Sequence, residues 1–176
     1  MNGTQSIAKG LAALRIVLGT GFLYAGLEKL LNFAGDEKGW SAFGFLKFGT
    51  GGSLPYLSDP KAIVNPTHDF WLSLTTNGTV MSTINFLVVF GEVAIGIALI
   101  LGLATRFAGV AAVLMMGLFY VASWSFEFGP ISEQFLYGTV AAFLVYARAG
   151  EVFGLDAIIE RTEIVKRTPQ LRYVLG

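Results

Sequence analysis

A single carboxylate inside an apolar run sets the problem this chain has to solve. Glu92 stands between Ile84 and Leu103 in a stretch that is otherwise almost wholly apolar, and a second apolar run, Phe107 to Phe126, follows a tight turn at Thr105-Arg106. Each run has the roughly 20 residues needed to cross about 30 Å of hydrocarbon. The two read as a transmembrane hairpin. A charge in mid-span is costly, so Glu92 is expected to face protein or water rather than lipid and to have a partner. The rest of the chain is read for that partner.

Composition agrees with a membrane setting: 54% of the 176 residues are hydrophobic and only 14% are charged, where soluble domains carry about a quarter. Zero net charge and the lack of a basic stripe give no sign of nucleic-acid binding. Cysteine is absent and histidine occurs once. That excludes disulfides, thiol nucleophiles, cysteine-rich zinc sites, c-type haem attachment and a bis-histidine haem within one chain. No haem or metal is expected. Any electron carrier is therefore diffusible or sits on a partner.

The first apolar segment, 7–33, is long, contains Arg15 and runs into Glu28-Lys29, so it reads as an uncleaved spanning helix rather than a secretory signal. Arg15, Gly19, Phe22, Gly26 and Lys29 recur at spacings of three and four and share one stripe of it. Residues 34–80 are too polar and too punctuated to cross, with Gly49-Thr50-Gly51-Gly52, Pro55, Asp59-Pro60 and Asn65-Pro66. Apolar patches around Trp40 and Trp71 predict that this loop folds over the bundle as one or two short interfacial helices. One is expected to be capped by Asn65, with Pro66 at its first position and His68 beside Asp69 within it.

A turn from Glu127 to Glu133 leads into a fourth apolar segment, 131–148. Beyond it Leu155, Ile158, Ile159, Thr162 and Val165 fall on one face, opposite Asp156, Glu160, Glu163 and Lys166. The expectation is an all-α, integral membrane four-helix bundle with spans near 7–33, 82–104, 106–127 and 131–148. Residues 1–150 form the transmembrane domain with an extracytoplasmic loop at 34–80, and 151–176 form a cytoplasmic amphipathic helical tail. Lys9, Arg106, Arg148, Arg161, Lys166, Arg167 and Arg172 on one side outnumber Lys38, Lys47 and Lys61 on the other. Both termini are thus expected in the cytoplasm of a multi-pass protein of the cell membrane. Glu92 then lies about 12 Å below the outer surface, with Lys29 and Arg15 as candidate partners.

The motifs Leu14-Arg15-x-x-Leu18-Gly19, Gly26-Leu27-x-Lys29-Leu30, Gly44-Phe45-Leu46-Lys47-Phe48-Gly49-Thr50 and Gly91-Glu92-x-x-x-Gly96-x-x-Leu99-x-x-Gly102-x-x-Thr105-Arg106 together resemble the DoxX/DoxD family. Within it they are most similar to the membrane subunit of thiosulfate:quinone oxidoreductase. The resemblance runs to about Gly154, and Gly44 to Thr50 is its most specific part. It implies a four-helix membrane bundle that passes electrons from thiosulfate to the quinone pool with a second, smaller subunit. One departure stands at the start of the fourth helix. Related sequences open it with an Asp-Asp-His-like cluster, where this chain has Ser132-Glu133-Gln134.

Two functions fit these residues. In the first, a diffusible quinone enters between helices, and Glu92, with Arg15 or Lys29 beside it, handles the proton that accompanies each electron. The donor, a small anion such as thiosulfate, is confined to the aqueous face, where Lys47 and Gly49 supply positive charge and backbone N–H groups. His68, Trp71 and Glu133 complete the candidate substrate-binding set. In the second, the protein is a non-catalytic accessory or assembly subunit of a larger respiratory-type membrane complex, with Glu92 and the cations as a buried structural network. Membrane lipid and a second protein subunit are expected partners.

Overall fold

The structure, a computed structural model, describes residues 3–35, 39–50, 65–124 and 130–175. Helix α1 spans Gly3–Gly35, α2 His68–Leu74, α3 Gly78–Leu101, α4 Thr105–Ser123, α5 Glu133–Tyr146, α6 Leu155–Ile159 and α7 Glu163–Arg167. A π-helical turn covers Phe45–Gly49, and 3-10 turns cover Ala149–Glu151 and Pro169–Tyr173; among the described residues there is no strand. Among the described residues three helices, α1, α3 and α4, are long and apolar enough to cross a membrane. Their outward faces carry large apolar side chains, Val17, Leu31, Leu87, Phe107 and Leu114 among them, each more than half exposed. Lipid is the solvent that suits such a surface. The chain is an all-α, multi-pass membrane protein.

The helix ends follow local chemistry that apolar periodicity does not register. Asn77 Oδ1 accepts from the backbone N–H groups of Thr79 and Val80 at 3.0 and 3.3 Å, so α3 begins four residues before the expected 82. It stops at Leu101 because Gly102 turns left-handed, at φ 65°. Helix α5 begins at Glu133, capped by the Ser132 hydroxyl. Its 14 residues rise about 21 Å, short of the roughly 30 Å of a bilayer core. The fourth expected span is therefore present as the shortest of the four helices that pack together.

These four helices pack in a ring, α1 on α3, α3 on α4, α4 on α5 and α5 back on α1. The α1–α3 seam is built from glycine. A Cβ on Gly19 would meet Leu99 and the backbone of Ile100, one on Gly26 would meet the Val93 backbone at 2.7 Å, and one on Gly96 would strike the Leu23 backbone. Helix axes approach this closely only where side chains are missing. The α4–α5 seam does the same with Ala108, Gly109 and Ala112 against Ala141 and Val145. Leu99, Ala112, Ala141 and Leu144 are fully buried at the centre.

The tail is helical but is not one amphipathic rod. Left-handed residues at Arg148 and Phe153, both at φ 51°, divide it into short pieces folded against one end of the bundle. At the opposite end, Ala42 and Leu46 pack on Met81 with Trp40, Trp71 and Ile84 around them. Ala42 N donates to Asn85 Oδ1 at 2.9 Å and ties this cap to α3.

Candidate functional site

The stripe on α1 faces α3 and carries a cation at each end. Antiparallel packing sets Gly26 against Glu92 and Val93, and Gly19 against Gly96 and Leu99. Lys29, one turn beyond Gly26, thereby meets Glu92, while Arg15, one turn before Gly19, meets the Gly102 turn. The two cations lie about 21 Å apart along the helix. Arg15 is therefore no partner of Glu92, contrary to the alternative left open by the sequence; Lys29 is.

Lys29 Nζ donates to Glu92 Oε1 at 3.0 Å and to Oε2 at 2.8 Å, and also to the Ala25 carbonyl at 3.3 Å. Glu92 is 3% exposed. Trp40 lies over the ammonium, 5.5 Å from nitrogen to ring centroid, where a cation gains from the face of the indole. The loop thus closes one side of the ion pair. On the other side lies a cavity of about 530 Å³ between α1, α4 and α5. Phe22, Met116, Phe119 and Tyr137 belong to its apolar wall, and Lys29, Glu92, Glu133 and Gln134 are its charged and amide groups. Leu14, Val17 and Tyr137, also in its lining, are exposed at the bundle surface. The cavity therefore opens through the α1–α5 seam toward the apolar exterior and ends inside on a buried ion pair. Such a space suits a flat, apolar molecule with a polar edge.

The Arg15 end is built differently. The guanidinium, 1% exposed, donates to the carbonyls of Ala149, Val152 and Phe153 at 2.7, 3.2 and 3.3 Å. Asp156, fully buried, accepts from Ala104 N at 2.7 Å and Thr105 N at 2.9 Å. It thereby satisfies the otherwise unpaired N–H groups that open α4. Its own N–H donates to the Gly102 carbonyl at 2.8 Å. Gly150 and Gly154 leave no space for a Cβ beside Asp156 and Arg15. The cluster fastens the tail to the α3–α4 turn. Helical periodicity places Asp156 on the solvent face, and the structure turns that face inward: Asp156 is buried while Leu155 and Ile158 of the same short helix are exposed. Glycines at 150 and 154 flanking a lone Asp were the signal that could have found it.

Of the other candidates, Glu133 reaches the cavity, while Lys47, His68 and Trp71 do not line it; Gly49 ends the π-helical turn. Lys47 is exposed, with Nζ 5.6 Å from the centre of the Phe43 ring. His68 Nδ1 shares a 2.7 Å hydrogen bond with the buried Thr50 hydroxyl, which in turn donates to the Leu46 carbonyl. Histidine here joins the π-helical turn to α2. Trp71 Nε1 donates to Thr67 Oγ1 at 2.8 Å. Asn65 does not cap α2, whose N-cap is Thr67 without a side-chain cap bond: its Oδ1 accepts from Thr67 N, and its Nδ2 donates to the Val121 and Ala122 carbonyls at the end of α4. Helix α2 begins at His68, after Thr67, and Pro66 precedes it. Gly51 and Gly52 of the loop lie outside the described residues, as do residues 127–129 of the Glu127 to Glu133 turn.

A family model described as "TQO small subunit DoxD" matches residues 11–171, nearly the whole chain. By that description the family is the small subunit of its enzyme, the reverse of the size order that the resemblance implied. No curated protein and no solved structure matches the chain.

Proposed function

The chain belongs to the DoxD family, and on that premise we propose that it is the membrane subunit of a quinone-linked oxidoreductase in which electrons from thiosulfate reach the quinone pool. The observation that carries this reading is the cavity that opens on the apolar exterior and ends on the Lys29–Glu92 pair. Its residues fit a quinone. Phe22, Met116 and Phe119 offer surface for a ring and the start of an isoprenoid tail, while Lys29, Gln134 and Tyr137 are donors for a carbonyl oxygen. A quinone supplies the acceptor chemistry, taking up electrons together with protons.

The protein's part is to hold the protons. Lys29 Nζ can turn a hydrogen bond from Glu92 toward a ligand oxygen, and the Glu92 carboxylate can receive a proton from the aqueous end and pass it inward. Glu133, exposed at the start of α5 and lining the same cavity, stands where such a proton would enter. Trp40, over Lys29, keeps bulk water off the pair from the loop side. We assign the Lys29 end to the outer face of the cell membrane, since most of the basic residues cluster at the other end. Thiosulfate, a dianion, would then be met at the aqueous surface near Lys47 or on the partner subunit.

Thiosulfate-dependent quinone reduction by the purified protein, assayed with and without its partner subunit, tests this. The expected result is turnover that requires both proteins and disappears in Glu92→Gln. A protein that binds no quinone and copurifies in fixed ratio with an unrelated respiratory complex would instead be an accessory subunit.

A further inference from the structure

At the opposite end of the bundle from Glu92, a second groove of about 520 Å³ is lined by Arg106, Arg148, Gln170, Arg172 and Tyr173. Three arginines from three separated parts of the chain converge there. Arg106 belongs to the first turn of α4, Arg148 to the turn after α5, and Arg172 to the last 3-10 turn. The chain brings them together deliberately: Phe107 N donates to the Val174 carbonyl at 3.2 Å, and an Arg106 guanidinium nitrogen donates to the Arg172 carbonyl at 3.4 Å. Arg148 shares its charge with Glu151 and Glu160. Arg106 and Arg172 have no carboxylate partner among the described residues. The groove therefore carries two uncompensated planar donors, the geometry that matches phosphate oxygens.

The surroundings say which phosphate. Tyr146 and Tyr173, 87% and 79% exposed, belong to the same end of the bundle as the arginines, the pattern of side chains that sit among lipid headgroups. Directly below Arg106, α4 presents Phe107, Val110, Leu114, Leu118 and Val121 on a single outward stripe, all exposed. We infer that the Arg106–Arg148–Arg172 groove binds the phosphate of an anionic phospholipid, whose acyl chains lie along this exposed face of α4. A free phosphate shares the headgroup chemistry but has nothing to place on the stripe.

The full chain, purified and delipidated in a mild non-ionic detergent, separates these ligands by its thermal unfolding midpoint. Phosphatidylglycerol is expected to raise the midpoint saturably, while phosphatidylcholine and inorganic phosphate leave it unchanged. In Arg106→Gln/Arg172→Gln the half-maximal effect requires roughly thirtyfold more phosphatidylglycerol, about fivefold per arginine. Lys166→Gln/Arg167→Gln removes the same charge from α7, outside the groove, and keeps the wild-type response. An equal loss in both doubles would reduce the effect to net charge and overturn the site. Saturation by inorganic phosphate alone would assign the groove to a soluble anion and overturn the lipid. Should the groove double variant not fold, Arg172→Gln alone, with bound lipid counted by native mass spectrometry, decides: retention of wild-type lipid occupancy sinks the inference.

Discussion

The two ends of the α1 stripe carry the same sequence signature, a cation on an apolar helix that meets a buried polar partner, and the structure makes opposite use of them. At the Arg15 end the guanidinium is spent on three backbone carbonyls, and Asp156 is spent on the N–H groups that open α4. Glycines close the space around them. At the Lys29 end the carboxylate bonds only to Lys29 among the described residues, and both line a cavity. Lys29 keeps a fifth of its side chain exposed. A buried charge whose partners are backbone and whose neighbours leave no space holds a fold together. One that faces a single flexible amine and an open cavity can change partner, which proton transfer requires.

Substitutions at the two ends sharpen or break this contrast. Glu92→Gln keeps the side-chain shape and is expected to lower quinone reduction by roughly 10²–10⁴-fold, with a smaller loss of stability than any change at Arg15. Unfolding of that variant at unchanged specific activity of the folded fraction would make both ends structural. Arg15→Met removes the donor to three backbone carbonyls and leaves Asp156 without its nearest buried cation, and the expected cost is about 3–5 kcal/mol of stability, read from denaturation in detergent, with turnover of the folded fraction preserved. An Arg15→Met protein that is stable and inactive would join the two ends into one functional unit. Gly96→Ala drives a Cβ into the Leu23 backbone and should cost about 1–3 kcal/mol. If the α1–α3 seam positions Glu92, the same variant also loses activity out of proportion to its folded fraction. Lys47→Gln is expected to act least, weakening thiosulfate dependence by about two- to fivefold, with less salt sensitivity than the wild type. Equal donor affinity and equal salt response would put the donor site on the partner.

Much of the Lys29 end was legible in the sequence, because a helical stripe is a local property. Spacings of three and four placed Arg15, Gly19, Gly26 and Lys29 on one face, and a mid-span carboxylate demanded a cation. The register between α1 and α3, which chooses Lys29 over Arg15, was not legible, since it is set by where Gly19 and Gly26 let two backbones approach. Asp156 escaped for the opposite reason: periodicity finds an apolar face but not which face turns inward, and the short helix Leu155–Ile159 buries Asp156 on the N–H groups of Ala104 and Thr105 while Ile158 is exposed. The role of Asn65, capping α4 from a loop more than fifty residues upstream, has no sequence signal at all. Likewise His68 reads as a ligand until Thr50, distant in sequence, is found on its Nδ1.

The two close seams divide the bundle into two stiff halves, α1 with α3 and α4 with α5. Arg15 and Asp156 bind those halves to the tail at one end, while the α1–α5 boundary stays thin where the cavity opens. The loop cap ties α3 to α4 at the other end too, through Ala42 on Asn85 and Asn65 on the Val121 and Ala122 carbonyls; α1 is joined to the end of α5 by Arg15 on the Ala149 carbonyl, and the two helices can part away from that bond. Opening by that motion widens the α1–α5 gap most near Glu133. It leaves the spacing of Lys29 and Glu92 unchanged, because both ride on the same half. Bulky molecules can then come and go on the microsecond-to-millisecond scale of such hinge motions without disturbing the distance on which the chemistry depends.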